Sequence, residues 1–338
     1  MIIVLKPDIS KKEELAVLKE IKKLGYKPHV MRGVERTVIG AIGDERKNHT
    51  LETLPASFPQ VEKVMPVQKR YKLTSREAHK ANSTINVRGN LIGGKKIQIM
   101  AGPCSVESEQ QLLTTAHAVK KAGATILRGG AFKPRTSPYE FQGLGEKGLK
   151  LLAKARKETG LAIITELLSE QHADMVAEYA DILQIGARNC QNFQLLIAAA
   201  KTGKPVLLKR GLSMKIEEWL LAGEYVLANN NANLMFCERG IRTFETYTRN
   251  TLDLSTIPII KKESHCPIVI DPSQGAGRSD LVSAMCKGAV AMGADALLIE
   301  VHPNPAEAWS DGAQQVTLEG FAKLMEELQP FIAAAGRE

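Results

Sequence analysis

"KIQIMAGPCSVESEQQLLTTAHAVKKAGATILRGG", residues 96–130, decides the fold. A short continuous apolar run is followed by an amphipathic helical pattern and then by a second apolar run. Runs of this length without polar alternation suit strands buried on both faces. The same rhythm recurs through "LAIITEL", "ILQIGA", "PVLLKRG", "NLMFCERG", "PIVIDPS" and "ALLIEVH". Eight strand–helix units of about 30 residues predict a closed parallel (β/α)8 barrel over residues 86–338. A doubly wound open sheet is the alternative, but no Gly-rich dinucleotide loop or P-loop pattern follows any of the strands.

Ahead of the barrel the chain reads differently. "MIIVLK" is a strand, "KKEELAVLKEIKKLG" carries apolar residues at Leu15, Leu18 and Ile21, and "KPHVMRG" and "RTVIGAIG" are strands. "ERKNHTLETL" is a weaker helix and "VEKVMPV" a last strand. The order β-α-β-β-α-β is ferredoxin-like and predicts a small α+β unit over residues 1–66. Residues 67–85 are polar, lack apolar periodicity and are expected to be a linker.

The 338-residue chain is 44% hydrophobic and 24% charged, ordinary values for a globular protein. No apolar run approaches the roughly 20 residues of a membrane span. The first residues lack the pattern of a secretory signal. An odd set of 5 cysteines without framework spacing suggests a reducing cytoplasm. The net charge is +8, but aromatics are only 5% and no long basic tract occurs, which argues against nucleic acid.

Barrel active sites form at the carboxyl ends of the strands. Those positions hold Cys104, Arg128, Lys133, Arg135, Glu166, Arg188, Asn189, Lys209, Arg210, Glu238, Arg239, Asp271, Gln274, Glu300 and His302, with Asp311 in the last loop. Seven are basic. Converging cations repel unless anions offset them, so the pattern predicts a site for a multiply anionic substrate. Cys104, Glu300 and Asp311 fall on the first and eighth strands, neighbours in a closed barrel, and thiolate with carboxylates suits a divalent transition metal. Cys190, Cys237, Cys266 and Cys286 read as core residues.

"AGPCSVES", "LRGGAFKPRTSPYEFQGLGEKGL", "QIGARNCQNF", "LLKRG", "ERGIRTFETYTRNTLDL" and "IEVHPNPAEAWSDGAQQ" closely resemble 3-deoxy-D-arabino-heptulosonate 7-phosphate (DAHP) synthases. The likeness is to the subgroup that includes 3-deoxy-D-manno-octulosonate 8-phosphate (KDO 8-phosphate) synthases. Residues 1–66 resemble the ferredoxin-like, ACT-like regulatory extension of some of these enzymes. The resemblance implies condensation of phosphoenolpyruvate with erythrose 4-phosphate and release of phosphate, the entry to the shikimate pathway. It places Arg188, Lys209 and Arg239 on the phosphoenolpyruvate phosphate, and Arg128 and Lys133 on its carboxylate. Lys133 is also a candidate proton donor. Arg135 and Thr136 would meet the aldose phosphate, and Glu166 the attacking water. Lys209 has a rival role as a Schiff-base lysine.

The resemblance further implies a divalent metal (Mn, Fe, Zn or Co), a homo-oligomer (dimer or tetramer), and feedback inhibition by phenylalanine or tyrosine at the front domain. Its metal site comprises Cys, His, Glu and Asp, and three of these map to Cys104, Glu300 and Asp311. The histidine belongs to a "DPSH" loop, where this chain has "DPSQ" and Gln274. His265 precedes the seventh strand and is expected at the opposite end, and His302 occupies another family position with a separate catalytic role. Asp271 would orient neighbouring groups or substrate. Gln274 could ligate the metal through its amide oxygen, only hydrogen-bond a bound water with the metal dispensable or held by three ligands, or mark an impaired or repurposed paralogue. Two alternatives to DAHP synthesis therefore stand: use of arabinose 5-phosphate, and a non-catalytic phosphometabolite sensor.

Overall fold

A computed structural model describes residues 1–7, 9–32, 37–43, 48–65 and 70–338. Gly33, Arg36, residues 45–47 and 66–67 of the expected front elements, and residues 67–69 of the expected linker, lie outside the described residues. The chain forms two compact units, Met1–Arg70 and Tyr71–Glu338.

In the first unit, β1 (Ile2–Leu5), α1 (Lys11–Lys23), β2 (Lys27–Arg32), β3 (Thr37–Ile42), α2 (Asn48–Glu52), α3 (Leu54–Ser57) and β4 (Val61–Met65) follow in order. The sheet order is β2-β3-β1-β4 with antiparallel neighbours, the ferredoxin-like arrangement. Ser10 and Glu13 close a capping box at the start of α1. The helix buries Val17 and Ile21 against Ile3, Leu5 and Ile39. Leu15, expected on that apolar face, is instead 64% exposed. The weak second helix is split at Thr53, with Pro55 in the first turn of α3.

The second unit opens with a hairpin, β5 (Ile85–Val87) and β6 (Asn90–Ile92). The barrel strands are β7 (Gln98–Gly102), β8 (Ile126–Arg128), β9 (Ala162–Glu166), β10 (Ile182–Ile185), β11 (Val206–Lys209), β12 (Leu234–Glu238), β13 (Ile268–Ile270) and β14 (Ala296–Glu300). They close in chain order, all parallel, with β14 paired to β7. Side-chain alternation sorts each strand into two sets. Met100, Ile126, Ile164, Leu207, Met235, Val269 and Leu298 cluster with Ile85, Val87 and Ile92 of the hairpin. Ile99, Leu127, Ile163, Leu208, Phe236, Ile270 and Ile299 pack against the surrounding helices. Each fully buried side chain of this size contributes about 1.5–3 kcal/mol.

The stretch from Tyr71 to Ser83 has no periodic pattern, yet it lies along the barrel. The Glu224 carboxylate accepts from the backbone N–H of Lys72, Leu73 and Thr74 at 2.9, 3.0 and 2.7 Å. Tyr71 Oη donates to Glu263 at 2.7 Å, and Ser83 N donates to His265 O at 2.8 Å. Glu224→Ala removes one acceptor from three N–H groups, so a loss of about 1–3 kcal/mol is expected. Thermal denaturation should register this as a fall of roughly 2–6 °C, and an unchanged transition would mean that water replaces the carboxylate fully.

Candidate active site

Residues at the strand ends and in the loops beyond them converge on one cavity of about 230 Å³. Its lining includes Arg128 and Lys133 from the β8 side, Glu166 from β9, Arg188 after β10, Lys209 from β11 and Arg239 after β12. Arg135, Thr136, Gln274 and Asp311 line it too, whereas Cys104, Asn189, Glu238, Asp271 and Glu300 do not. Six of the seven expected cations are therefore brought together. The exception is Arg210, which turns outward and donates to Glu238 at 2.8 Å and Asp253 at 3.0 Å. Arg249, in the loop after β12, takes its place on the cavity wall.

The cations are unequally neutralised. Arg128 meets Glu300 at 2.6 Å, Lys209 meets Asp271 at 2.5 Å, Arg135 meets Glu140 at 2.6 Å, and Arg249 meets Asp311 at 3.3 Å. Among the described residues Lys133, Arg188 and Arg239 have no carboxylate within ion-pair distance. Arg188 donates to Thr136 Oγ1 at 3.3 Å. Burial makes the Arg239 guanidinium easier to deprotonate than usual. Among the described residues Arg128 Nε is a buried donor without a partner. Buried groups of this kind are stabilised by an acceptor, and an anion supplies one.

Glu166 stands among these cations. Its Oε2 accepts from Gln184 Nε2 at 3.3 Å, and its Oε1 lies so close to the Gly186 backbone that a Cβ there would come within 2.0 Å. Only glycine leaves room for the carboxylate. Burial pushes the Glu166 carboxyl above the ordinary value, although Lys133, Lys209, Arg128 and Arg188 oppose the shift.

Cys104, Glu300 and Asp311 also meet. One ligand atom from each lies within 4.8 Å of the others, and Cys104 Sγ is 3.4 Å from Asp311 Oδ2. Asp311 has a positive φ of 49°, a strained backbone for a non-glycine residue. Burial and the Glu300 charge push the Cys104 thiol up to about 11. A divalent cation would reverse that shift and take the thiolate. The donor set therefore fits a divalent transition metal. Glu300 is held by Arg128, by Gln314 Nε2 at 2.7 Å and by Gln274 Nε2 at 3.1 Å. Lys133 Nζ lies 3.0 Å from Cys104 Sγ.

Asp271 accepts from Gln274 N at 2.9 Å as well as pairing with Lys209, so it orients both. Its short helix, α4 (Pro272–Ala276), ends at Gly277 with φ 68°, where a Cβ would meet Arg249 Cβ at 2.4 Å. His265 is remote from the cavity, bonded to Leu73 O and Ser83 Oγ. His302 does not line the cavity either. Its Nδ1 accepts from Asn304 N at 3.0 Å, which leaves Nε2 protonated toward Glu107 at 3.3 Å. Glu107 also accepts from Trp309 N at 2.9 Å, so this pair ties the loop carrying Asp311 to the loop carrying Cys104.

The sequence reading missed Arg249, Gln184, Gln314 and Gln315. Gln315 Oε1 accepts from Cys104 N at 3.0 Å. By alternation from Ile182, Gln184 is legible as an inward residue, whereas Arg249 lies in a loop without a period to place it.

Residues 76–334 match the DAHP synthetase I family, and residues 1–69 match the DAHP synthase ferredoxin-like domain. The phospho-2-dehydro-3-deoxyheptonate aldolase of Thermotoga maritima is 49% identical over 336 residues, 99% of each chain. The solved structure of that DAHP synthase covers 100% of this chain and 98% of its own, with a TM-score of 0.81. A truncated form of the Thermotoga synthase covers 79% of this chain and 98% of its own at a TM-score of 0.75 and 47% identity. The 2-dehydro-3-deoxyphosphooctonate aldolase of Caulobacter vibrioides is 35% identical over 255 residues, covering 70% of this chain and 87% of its own. Among the described residues no helix is long and apolar enough to cross a membrane. With the likeness running through both units and the strand ends converging on one cationic cavity, the chain belongs to the DAHP synthetase I family and carries the ferredoxin-like domain of DAHP synthases.

Proposed function

We propose that this enzyme condenses phosphoenolpyruvate with erythrose 4-phosphate and releases inorganic phosphate. The observation that carries the reading is the cavity in which, among the described residues, Lys133, Arg188 and Arg239 lack carboxylate partners and Arg128 Nε lacks an acceptor. Arg188, Lys209 and Arg239 hold the phosphoenolpyruvate phosphate, and Arg128 and Lys133 hold its carboxylate. Arg135 and Thr136, from the "KPRT" loop, hold the aldose phosphate. Seven cations around two anionic substrates fix both and stabilise the departing phosphate. Lys133 protonates the aldehyde oxygen as it becomes an alkoxide. Glu166, when ionised, orients the water that adds to the cationic carbon before phosphate leaves. Cys104, Glu300 and Asp311 would hold a divalent ion, with Gln274 beside them. When bound, that ion supplies Lewis-acid polarisation of the aldehyde. Lys209 is already paired with Asp271, which suits phosphate binding better than an uncharged Schiff-base nucleophile.

The front unit is the proposed site for phenylalanine or tyrosine, in a homo-oligomeric enzyme. Five free cysteines suit a reducing cytoplasm.

Phosphate release decides the matter. Release is expected from phosphoenolpyruvate with erythrose 4-phosphate, little with arabinose 5-phosphate, and less after chelation with recovery on adding Mn, Fe, Zn or Co. Preference for arabinose 5-phosphate would overturn the acceptor assignment. Binding of both substrates without release would make the chain a sensor. In the same assay, inhibition by phenylalanine or tyrosine that survives deletion of residues 1–70 would exclude the front unit as the effector site.

A further inference from the structure

Gln274 stands where the family resemblance calls for a metal-ligating histidine, but its amide is already engaged at both ends. Nε2 donates to Glu300 Oε1 at 3.1 Å, and Oε1 accepts from Arg239 Nη2 at 3.1 Å. The partners fix which end is which. A reversed amide would set its NH2 against the Arg239 donors and its oxygen against the Glu300 carboxylate, and both contacts would repel. The backbone is held as well: Gln274 N donates to Asp271 Oδ1 at 2.9 Å, and Asn250 Nδ2 donates to Gln274 O at 2.8 Å. To ligate a metal, the amide oxygen would have to leave Arg239.

We propose that Gln274 is a positioning residue that bridges Arg239 of the anion pocket to Glu300 of the metal site, and is not itself a metal ligand. The inference rests on the reading of Arg239 as a phosphate-binding cation. A neutral amide oxygen aims the guanidinium into the cavity without cancelling its charge, as a carboxylate would. The amide NH2 takes one acceptor position on Glu300. Arg128 and Gln314 take two more, leaving one lone pair of Oε2 for an ion. A ligating histidine could not do this, because its second ring nitrogen would carry a proton and could not accept from Arg239. The substitution thus exchanges one metal ligand for orientation of the anion site.

The test uses the metal-stripped full chain and two probes, inorganic phosphate by calorimetry and Co²⁺ by its visible absorption, which reports the donor set. In Gln274→Leu, phosphate affinity is expected to fall about tenfold, because Arg239 loses its acceptor. The Co²⁺ bands should stay in place, since no ligand is removed. In Gln274→His the probes should move in opposite directions: new Co²⁺ bands with tighter binding, and weaker phosphate binding. This second variant decides the case if the leucine protein does not fold. Altered Co²⁺ bands in Gln274→Leu would overturn the proposal by showing that Gln274 is a ligand. Unchanged phosphate binding in either folded variant would overturn the bridge. If the unsubstituted metal-free chain binds no phosphate, the anion-pocket reading itself fails, and the bridge with it. That failure is distinguishable because it appears before any substitution.

Discussion

Glu300→Ala should abolish turnover and lower the melting transition of the barrel by roughly 6–10 °C. Glu300 is 1% exposed and Arg128 5%, and the two are 2.6 Å apart. Removing one partner of a buried pair leaves the other charge without compensation and costs about 3–5 kcal/mol. Among the described residues no spare acceptor stands ready, since Arg128 Nε is already without one. Burial alone would raise the Glu300 carboxyl, but Arg128 and Lys133 outweigh it and hold its pKa down at about 2. The sign follows from that depression. The stabilisation is complete above the unfolded value near 4.3 and is lost as pH falls toward 2. A double variant, Arg128→Met with Glu300→Leu, separates fold from function, because apolar replacement of a buried ion pair is often neutral. It should recover most of the melting temperature and none of the activity. Thermal denaturation and phosphate release check both, and a Glu300→Ala protein as stable as the parent would refute the argument.

How far the sequence reached can be followed strand by strand. The barrel was legible because parallel strands buried on both faces read as unbroken apolar runs, and none of the eight needed tertiary information to be seen. The site was legible to the level of strand ends but not of faces. Lys209 and Arg210 are adjacent basic residues, yet Lys209 continues the inward set through Leu207, while Arg210 continues the outward set through Leu208. Applied to the end of β12, the same period of two turns Glu238 outward and Arg239 inward. Alternation, carried one residue past each strand, would have excluded Arg210. It fails for His302 because β14 has ended at Glu300, and local bonds to Glu107 and Asn304 then set the side chain. It is silent on Arg249, which reaches the cavity from an isolated bridge between Ile241 and Thr251. Gln274 was visible as a departure, but its two partners come from just past β12 and from the end of β14, and only folding brings them together.

The same inward set carries Glu166, and replacing it should pull rate and stability in opposite directions. In Glu166→Gln, kcat is expected to fall about 10²–10⁴-fold, the usual worth of a positioned acid–base group. The KM for phosphoenolpyruvate should change little, because the cations remain. The acid limb of kcat is the sharper readout. Burial already raises the Glu166 carboxyl above the ordinary value, against the pull of Lys133, Lys209, Arg128 and Arg188. Bound phosphate and carboxylate groups weaken that pull and raise it further, so the limb should lie above the usual carboxylate value of about 4.3 and vanish in the glutamine variant. A limb that persists would mean that another group titrates. Stability should move the other way. A carboxyl whose folded pKa exceeds its unfolded one destabilises the fold increasingly as pH rises through that interval. Glutamine removes the charge while keeping the shape beside Gly186, so the variant should melt no lower than the parent at neutral pH and lose its relative advantage in acid. A protein that gains stability when this side chain is neutralised holds the charge for chemistry rather than for folding.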